Sequence, residues 1–330
     1  MPVTSLSPIL EPVTDELVEF GKRLRSSMIS DVPLVNLIAK YLIKTKGKQV
    51  RPALVLLAAK ACGGVTDTSY RAALLVELLH TATLVHDDVI DEADTRRGFA
   101  SIRALWRNKA GVLMGDYLLA KGLLLTIESK QVHLLEITST AVRRMSEGEL
   151  YQLQKSRQLN TDEAAYFKII GDKTASLLAT CAEMGAASTA PNGENTEQRN
   201  WLREYGECVG IAFQIRDDLF DYQEQSSLIG KPVGNDLENR KLTLPILHTL
   251  TKIDPKEAKR IRSLIRSKKV SESERKLIVN LVSATGGLSY ANAKAEEYAE
   301  RARKAIAHLP ESDAKAALMA FSHFVIEREK

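Results

Sequence analysis

Residues 66–93 read TDTSYRAALLVELLHTATLVHDDVIDEA. Ala73, Leu74, Glu77, Leu78, Thr81, Leu84 and Val85 recur at three- and four-residue steps, the signature of a long, largely buried helix. That helix ends in three aspartates. Asp87 and Asp91 lie four apart and Asp88 and Asp91 three apart, so they share one face. Aspartate is a poor interior helix residue, and like charges at this spacing repel. A solvated acidic face and a divalent-cation site both explain such a cluster. The apolar residues before it favour acids that face an internal cavity.

Residues 216–221, RDDLFD, repeat the spacing 130 positions further on, after a second apolar run (Val209, Ile211, Ala212, Phe213, Ile215). If the two helices face each other, six carboxylates ring one cavity. Magnesium takes a few carboxylates and completes its shell with phosphate oxygens and water. The pattern therefore suits a polyphosphate ligand, and such a ligand also needs cations. Lys48 and Arg51 sit three apart after Gly47, at an expected helix start where phosphate is favoured. Arg96 and Arg97 follow the first cluster closely, and two arginines can grip a diphosphate. Lys173 and Thr174 interrupt an apolar helical pattern (Ile169, Ile170, Leu177, Leu178). Lys231, Asp236 and Lys241 fall in the polar segment 226–242.

The rest of the chain reads as all-α. It has 330 residues, 44% hydrophobic and 27% charged, which excludes fibrous and wholly disordered classes. With 46 basic and 42 acidic residues the net charge is +4, too even to imply a nucleic-acid partner. No proline lies between Pro52 and Pro191, and aromatics make up only 5%, which disfavours a sheet-rich fold. Helices are expected at about 11–30, 66–93, 101–128, 131–157, 161–187, 195–225, 243–251, 254–267, 271–285, 288–308 and 311–327. No strand pair is expected. These features predict one domain over 1–330, a bundle of about ten or more mostly antiparallel helices around a central cavity.

Cys62, Cys181 and Cys208 are odd in number and widely spaced, as for reduced core thiols. The N-terminus lacks the pattern of a signal or transit peptide. The greasiest segment, 112–127, contains Asp116 and Lys121, so no membrane span is expected. A cytoplasmic location follows as an expectation. The basic stretch Lys256, Lys259, Arg260, Arg262, Arg266, Lys268 and Lys269 reads as a solvated helix face, with at most peripheral membrane contact. His86 reads as a packing or hydrogen-bonding residue.

Together the ordered motifs GKQVRP, ELLHTATLVHDDVIDEADTRRG, VLMGDYLLA, GDKTASL, QIRDDLFDY and GKPVGNDLENRKLTLP resemble the all-trans polyprenyl diphosphate synthases of the isoprenoid synthase class. The resemblance covers nearly the whole chain. It implies that Asp87, Asp88 and Asp91, with Asp217 and Asp221, hold Mg²⁺, about three ions per active site. It implies that Arg96, Lys173 and Lys241, with Lys231 beside them, contact an allylic diphosphate (geranyl, farnesyl or geranylgeranyl). Lys48, Arg51, His80 and Arg97 would bind isopentenyl diphosphate. Thr174 and Gln214 would turn oxygen atoms towards a carbocation, and Asp218 would stand behind these groups. Gln152 departs from the aspartate that short-chain relatives often carry. Homodimers are usual in the family.

The implied reaction is ionisation of the allylic diphosphate, attack by the double bond of isopentenyl diphosphate, and loss of a proton. Ala82 and Thr83 stand where short-chain relatives carry an aromatic residue. A small floor there predicts a long product, roughly C30 to C50. Three alternatives stay open: a shorter-chain farnesyl or geranylgeranyl diphosphate synthase, a terpene cyclase or head-to-head synthase of the same class, and a non-catalytic subunit of a heteromeric enzyme. Ala82 and Thr83 argue against the first. GKQVRP and TRRG argue against the second, and two complete aspartate clusters against the third.

Overall fold

The computed structural model describes residues 6–45, 47–222, 235–238, 240–266 and 271–328. Short α1 (Ser7–Leu10) leads into α2 (Thr14–Ser27), α3 (Pro33–Lys44) and α4 (Val50–Ala61). Long α5 (Asp67–Ile90) is followed by a small hairpin, β1 (Thr95–Arg96) with β2 (Phe99–Ala100), then by α6 (Ile102–Glu128) and α7 (Val132–Gln158). α8 (Glu163–Ile170) runs through a π-helical turn (Gly171–Ala175) into α9 (Ser176–Ala187). α10 (Thr196–Phe220) carries the second aspartate cluster. α11 (Asn235–Glu238), α12 (Leu244–Lys252), α13 (Pro255–Arg266), α14 (Glu272–Ala284), α15 (Gly287–Ala305) and α16 (Asp313–Glu327) follow. Lys231 lies outside the described residues, as do Lys268 and Lys269.

α5 opens with a capping box between Thr66 and Ser69, which satisfies two otherwise unpaired amides. Its apolar residues are buried nearly all round, from Ala72 to Val85, because α4, α6 and α9 each pack against it. α10 packs on α9 and α15 in the same way. The buried apolar residues form two clusters. One joins α4, α5, α9, α16 and the first half of α10, including Leu202 and Val209. The other joins α12 to α15 with the second half of α10, including Ile215 and Leu219. α10 thus belongs to both, and its aspartates lie on the half that packs with the second.

Three local differences from the sequence expectation have physical causes. The expected absence of strand pairs is corrected by β1 and β2, which pair Thr95 with Ala100 and Arg96 with Phe99. Between them Arg97 and Gly98 both take positive φ (52° and 79°), the requirement of a two-residue primed hairpin turn. The helix expected over 161–187 contains a π-helical turn, in which the Ser176 amide donates to the Gly171 carbonyl, five residues back. α16 begins at Asp313, capped by the Ser312 hydroxyl on the Lys315 amide, three residues beyond Pro310.

A fourth difference concerns α6. By length and composition it could cross a membrane, with a mean hydropathy of 1.5 over its most apolar window. One side of it packs along α5. The other side leaves Leu113, Leu124 and Ile127 more than half exposed.

Candidate active site

Two cavities meet inside the bundle. The first, about 470 Å³, is lined by Lys48, Arg51, His80, Asp88, Arg96 and Arg97 at its polar end and by Leu78, Leu84, Leu178, Phe213, Phe321 and Phe324 elsewhere. The second, about 460 Å³, is lined by Gln152, Lys173, Gln214, Asp217, Asp218, Asp221, Asp236 and Lys241. Thr174 lines both. The candidate cations therefore divide into two sets, one on either side of a single shared residue.

In the first cavity α5, the hairpin, and α4 with the segment before it supply the charges. Arg96 Nε donates to Asp88 Oδ1 at 2.7 Å, and Asp88 is only 3% exposed. Arg51 Nη1 donates to His80 Nε2 at 2.9 Å. Burial holds the His80 ring well below its usual value, with Arg51, Arg97 and Arg96 adding to the effect. The ring is therefore neutral and accepts through Nε2. Arg51 Nε is buried with no hydrogen-bond partner among the described residues. Such an orphaned donor on a guanidinium can serve an anion. Lys48 and Arg97 are exposed at the rim.

The π-helical turn shapes the second cavity. One extra residue in the turn re-aims side chains by about 100°, the rotation per residue of a helix. Lys173 and Thr174 sit on that turn, and both line the cavity. Lys173 pairs with Glu149 at 2.5 Å. The turn itself is clamped by Arg144. Its Nε donates to Asp172 at 2.8 Å, Nη1 and Nη2 grip Glu207 at 2.9 and 2.6 Å, and Nη2 also reaches the Gly171 carbonyl at 3.3 Å. Burial alone would raise the Asp172 carboxyl, but hydrogen bonds from Lys168 and Arg144 outweigh it and hold it low.

The aspartates divide by environment. Asp87 is half-buried and Asp91 exposed. Burial raises the Asp87 carboxyl, offset in part by Lys173 and reinforced by Glu149 and Asp91. Asp217 is also raised by burial, with Arg328 opposing. The Arg328 guanidinium is in contact with the Asp217 carboxylate and lies over the Phe213 ring, 3.8 Å from its centroid. Asp221 Oδ2 accepts the Asp236 amide at 3.1 Å. Asp218 is buried, accepts from Tyr166 and Gln214, and is pushed up to about 7, chiefly by burial.

Among the described residues no three His, Cys, Asp or Glu side chains converge into a ready-made metal cage. The donor set still fits a hard divalent cation. It consists of carboxylate oxygens, two of them, on Asp87 and Asp217, raised by burial, and Asp217 already holds a cationic group, Arg328. Asp217 and Asp221 line the second cavity whereas Asp87 and Asp91 line neither, and the four could hold such an ion only with phosphate oxygens completing the shell. Asp88 is committed to Arg96 in this state. The chain-length candidates fall elsewhere. Ala82 is buried, the Thr83 hydroxyl donates to the His80 carbonyl, and neither lines either cavity.

Arg144, Glu207, Tyr166 and Arg328 are site residues that the sequence reading does not single out. Arg144 and Tyr166 stand in ordinary helical contexts. Arg328 reaches Asp217 only because the fold brings α16 beside α10.

A helical bundle with two cation-lined cavities and two acidic clusters has the architecture of the isoprenoid synthases. The chain belongs to the polyprenyl synthetase family, whose model matches residues 32–282, and it is a prenyltransferase. It is 33% identical to octaprenyl diphosphate synthase of Escherichia coli (strain K12), over 99% of this chain and 100% of that protein. It is 36% identical to the all-trans-nonaprenyl-diphosphate synthase (geranyl-diphosphate specific) of Rhodobacter capsulatus, over 97% of each chain. Its fold matches the crystal structure of a polyprenyl synthase from Caulobacter crescentus CB15 complexed with calcium and isoprenyl diphosphate. That match has a TM-score of 0.90 at 33% identity and covers 100% of both chains.

Proposed function

We propose that this protein condenses isopentenyl diphosphate with an allylic diphosphate and makes a long-chain, all-trans polyprenyl diphosphate. The observation that carries the reading is Thr174, one residue that lines both of two cavities that each have their own cations. Two diphosphates seated on either side bring their hydrocarbon ends together at that wall. Octaprenyl and nonaprenyl synthases among the relatives support the long product.

In this reading Lys173 and Lys241 bind the allylic diphosphate from the second cavity. Arg51, with Lys48 and Arg97 at the rim, binds isopentenyl diphosphate in the first. His80 orients the Arg51 guanidinium through its Nε2. Held at Asp87, Asp91, Asp217 and Asp221, Mg²⁺ ions, about three in number, would neutralise charge on the departing diphosphate. The C–O bond of the allylic substrate breaks and its electron pair leaves with that diphosphate. Lys173 anchors the leaving group. The Thr174 and Gln214 oxygens face the cation, and the apolar walls keep water from quenching it. The double bond of isopentenyl diphosphate forms the new C–C bond. The proton then lost goes to the released diphosphate, for no side chain here is an evident base.

The exposed apolar stripe of α6 supports a homodimer, and the three free thiols support a reducing, cytoplasmic setting. The test is to supply farnesyl diphosphate, isopentenyl diphosphate and Mg²⁺ to the pure protein and chromatograph the products. Products of roughly C30 to C50 are expected. Ala82→Phe is expected to shorten them. An unchanged length in that variant means the chain grows along another wall, and no condensation at all removes the reading.

A further inference from the structure

Behind Thr174 lies a hydrogen-bond chain, buried at its far end, that prenyl transfer as set out does not account for. Thr174 Oγ1 donates to Gln214 Oε1 at 2.9 Å. Gln214 Nε2 donates to Asp218 Oδ1 at 2.8 Å. The Tyr166 hydroxyl donates to Asp218 Oδ2 at 2.7 Å. Tyr166 is 4% exposed and Asp218 7%. The chain joins α8, the π-helical turn and α10, so it crosses three elements.

Each link fixes the direction of the next. Both Asp218 oxygens accept, from Gln214 and from Tyr166, as in the ionised carboxylate, which only accepts, whereas an amide has one accepting and one donating end. Asp218 therefore selects the Nε2 end of Gln214 and turns its Oε1 towards Thr174. That oxygen in turn demands the one hydroxyl proton of Thr174. What remains of Thr174 at the junction of the two cavities is its lone pairs. Without this ordering the amide could flip and the hydroxyl could rotate its proton into the cavity, which would repel a cation. Tyr166 is the outermost donor of the chain. Its hydroxyl holds the far oxygen of Asp218 and so the plane of the carboxylate.

We propose that Tyr166 is a positioning residue for prenyl transfer, fixing the polarity of the Thr174 hydroxyl through Asp218 and Gln214. The proposal rests on the prenyltransferase reading of the cavities. It makes Tyr166 act on the step in which positive charge develops and on neither diphosphate seat.

The test is a double-mutant cycle of Tyr166→Phe and Thr174→Val, measured as kcat and as KM for both diphosphates. Tyr166→Phe keeps the ring, and retention of the melting temperature within a few degrees establishes that the fold is kept. Tyr166→Phe is expected to lower kcat about tenfold, with each KM within about twofold. In the Thr174→Val background, where no hydroxyl remains to be oriented, adding Tyr166→Phe is expected to change kcat by less than about twofold. An equal loss in both backgrounds, an unchanged kcat in the single variant, or a loss confined to KM overturns the proposal while leaving the prenyltransferase reading intact. A wild-type protein that turns over no diphosphate pair overturns that reading, and the proposal with it.

Discussion

His80 is held well below its usual value of 6.5, first by burial and then by Arg51, Arg97 and Arg96. The folded protein therefore keeps the ring neutral, while the unfolded chain takes up a proton below about pH 6.5. In that range the unfolded state binds more protons, so stability falls as pH falls through it. His80→Gln removes the titration and keeps an acceptor for Arg51. Its urea midpoint is expected to vary less than that of the wild type between about pH 5 and 7. Asp87 has the opposite sign. Its carboxyl is raised, so the folded state holds the proton more tightly than the unfolded state does, and stability is lost as pH rises above the usual 3.8. At neutral pH without metal the charge opposes folding. Asp87→Asn is expected to melt about 1–3 °C higher in chelator while turnover with Mg²⁺ falls by about a hundredfold or more. A variant with normal turnover takes Asp87 out of the site.

The element on which the site depends is the π-helical turn. It fits between α7 and α10 because both present glycine to it. A Cβ on Gly148 would lie 2.9 Å from Asp172 Cβ, and one on Gly210 would lie 2.7 Å from Ala175 Cβ and closer still to the Ala175 backbone. Gly210→Ala is expected to destabilise the protein by about 1–3 kcal/mol, read from the urea midpoint. It is also expected to lower kcat/KM by displacing Lys173 and Thr174. Full activity at lowered stability means the turn tolerates displacement. This element also marks the limit of what the sequence discloses. Lys173 is legible as an anomaly, a charge set among Ile169, Ile170 and Leu177. The long helices are legible because their apolar period is sustained over many residues. The π-helical turn leaves no such trace, since one inserted residue hardly disturbs the average period over 161–187. Arg144, which clamps the turn, is one arginine among many on a helix whose polar residues look solvated. The hairpin at Thr95–Ala100 is too short for alternation to register, although Arg97-Gly98 carries the turn chemistry. Both aspartate clusters are legible as pairs, but which carboxylates are buried is not. Asp88 and Asp218 go to Arg96 and Tyr166, contacts made by residues that the local pattern does not connect.

For the whole molecule the remaining question is what covers α6. Leu113, Asp116, Ala120, Leu124 and Ile127 follow one another at three- and four-residue steps, and all five are exposed. Only one is charged. Val132, Leu150 and Leu153 of α7 are exposed as well. Water is a poor partner for such a stripe, and a second copy of the chain is a good one. In a twofold dimer the same stripe meets itself, so one substitution acts twice. Burying a leucine is worth about 1.5–3 kcal/mol, so a charge in its place on both sides should weaken association by at least about 3–6 kcal/mol. That corresponds to about two to four powers of ten in dissociation constant. Leu113→Glu is therefore expected to sediment as a monomer at concentrations where the wild type is a dimer, with its helical circular dichroism unchanged. The site residues described above all come from one chain, so the monomer should retain measurable condensation. A wild type that sediments as a monomer, or a variant that dimerises as tightly as the wild type, means that α6 is not the interface and that its exposed leucines serve another surface.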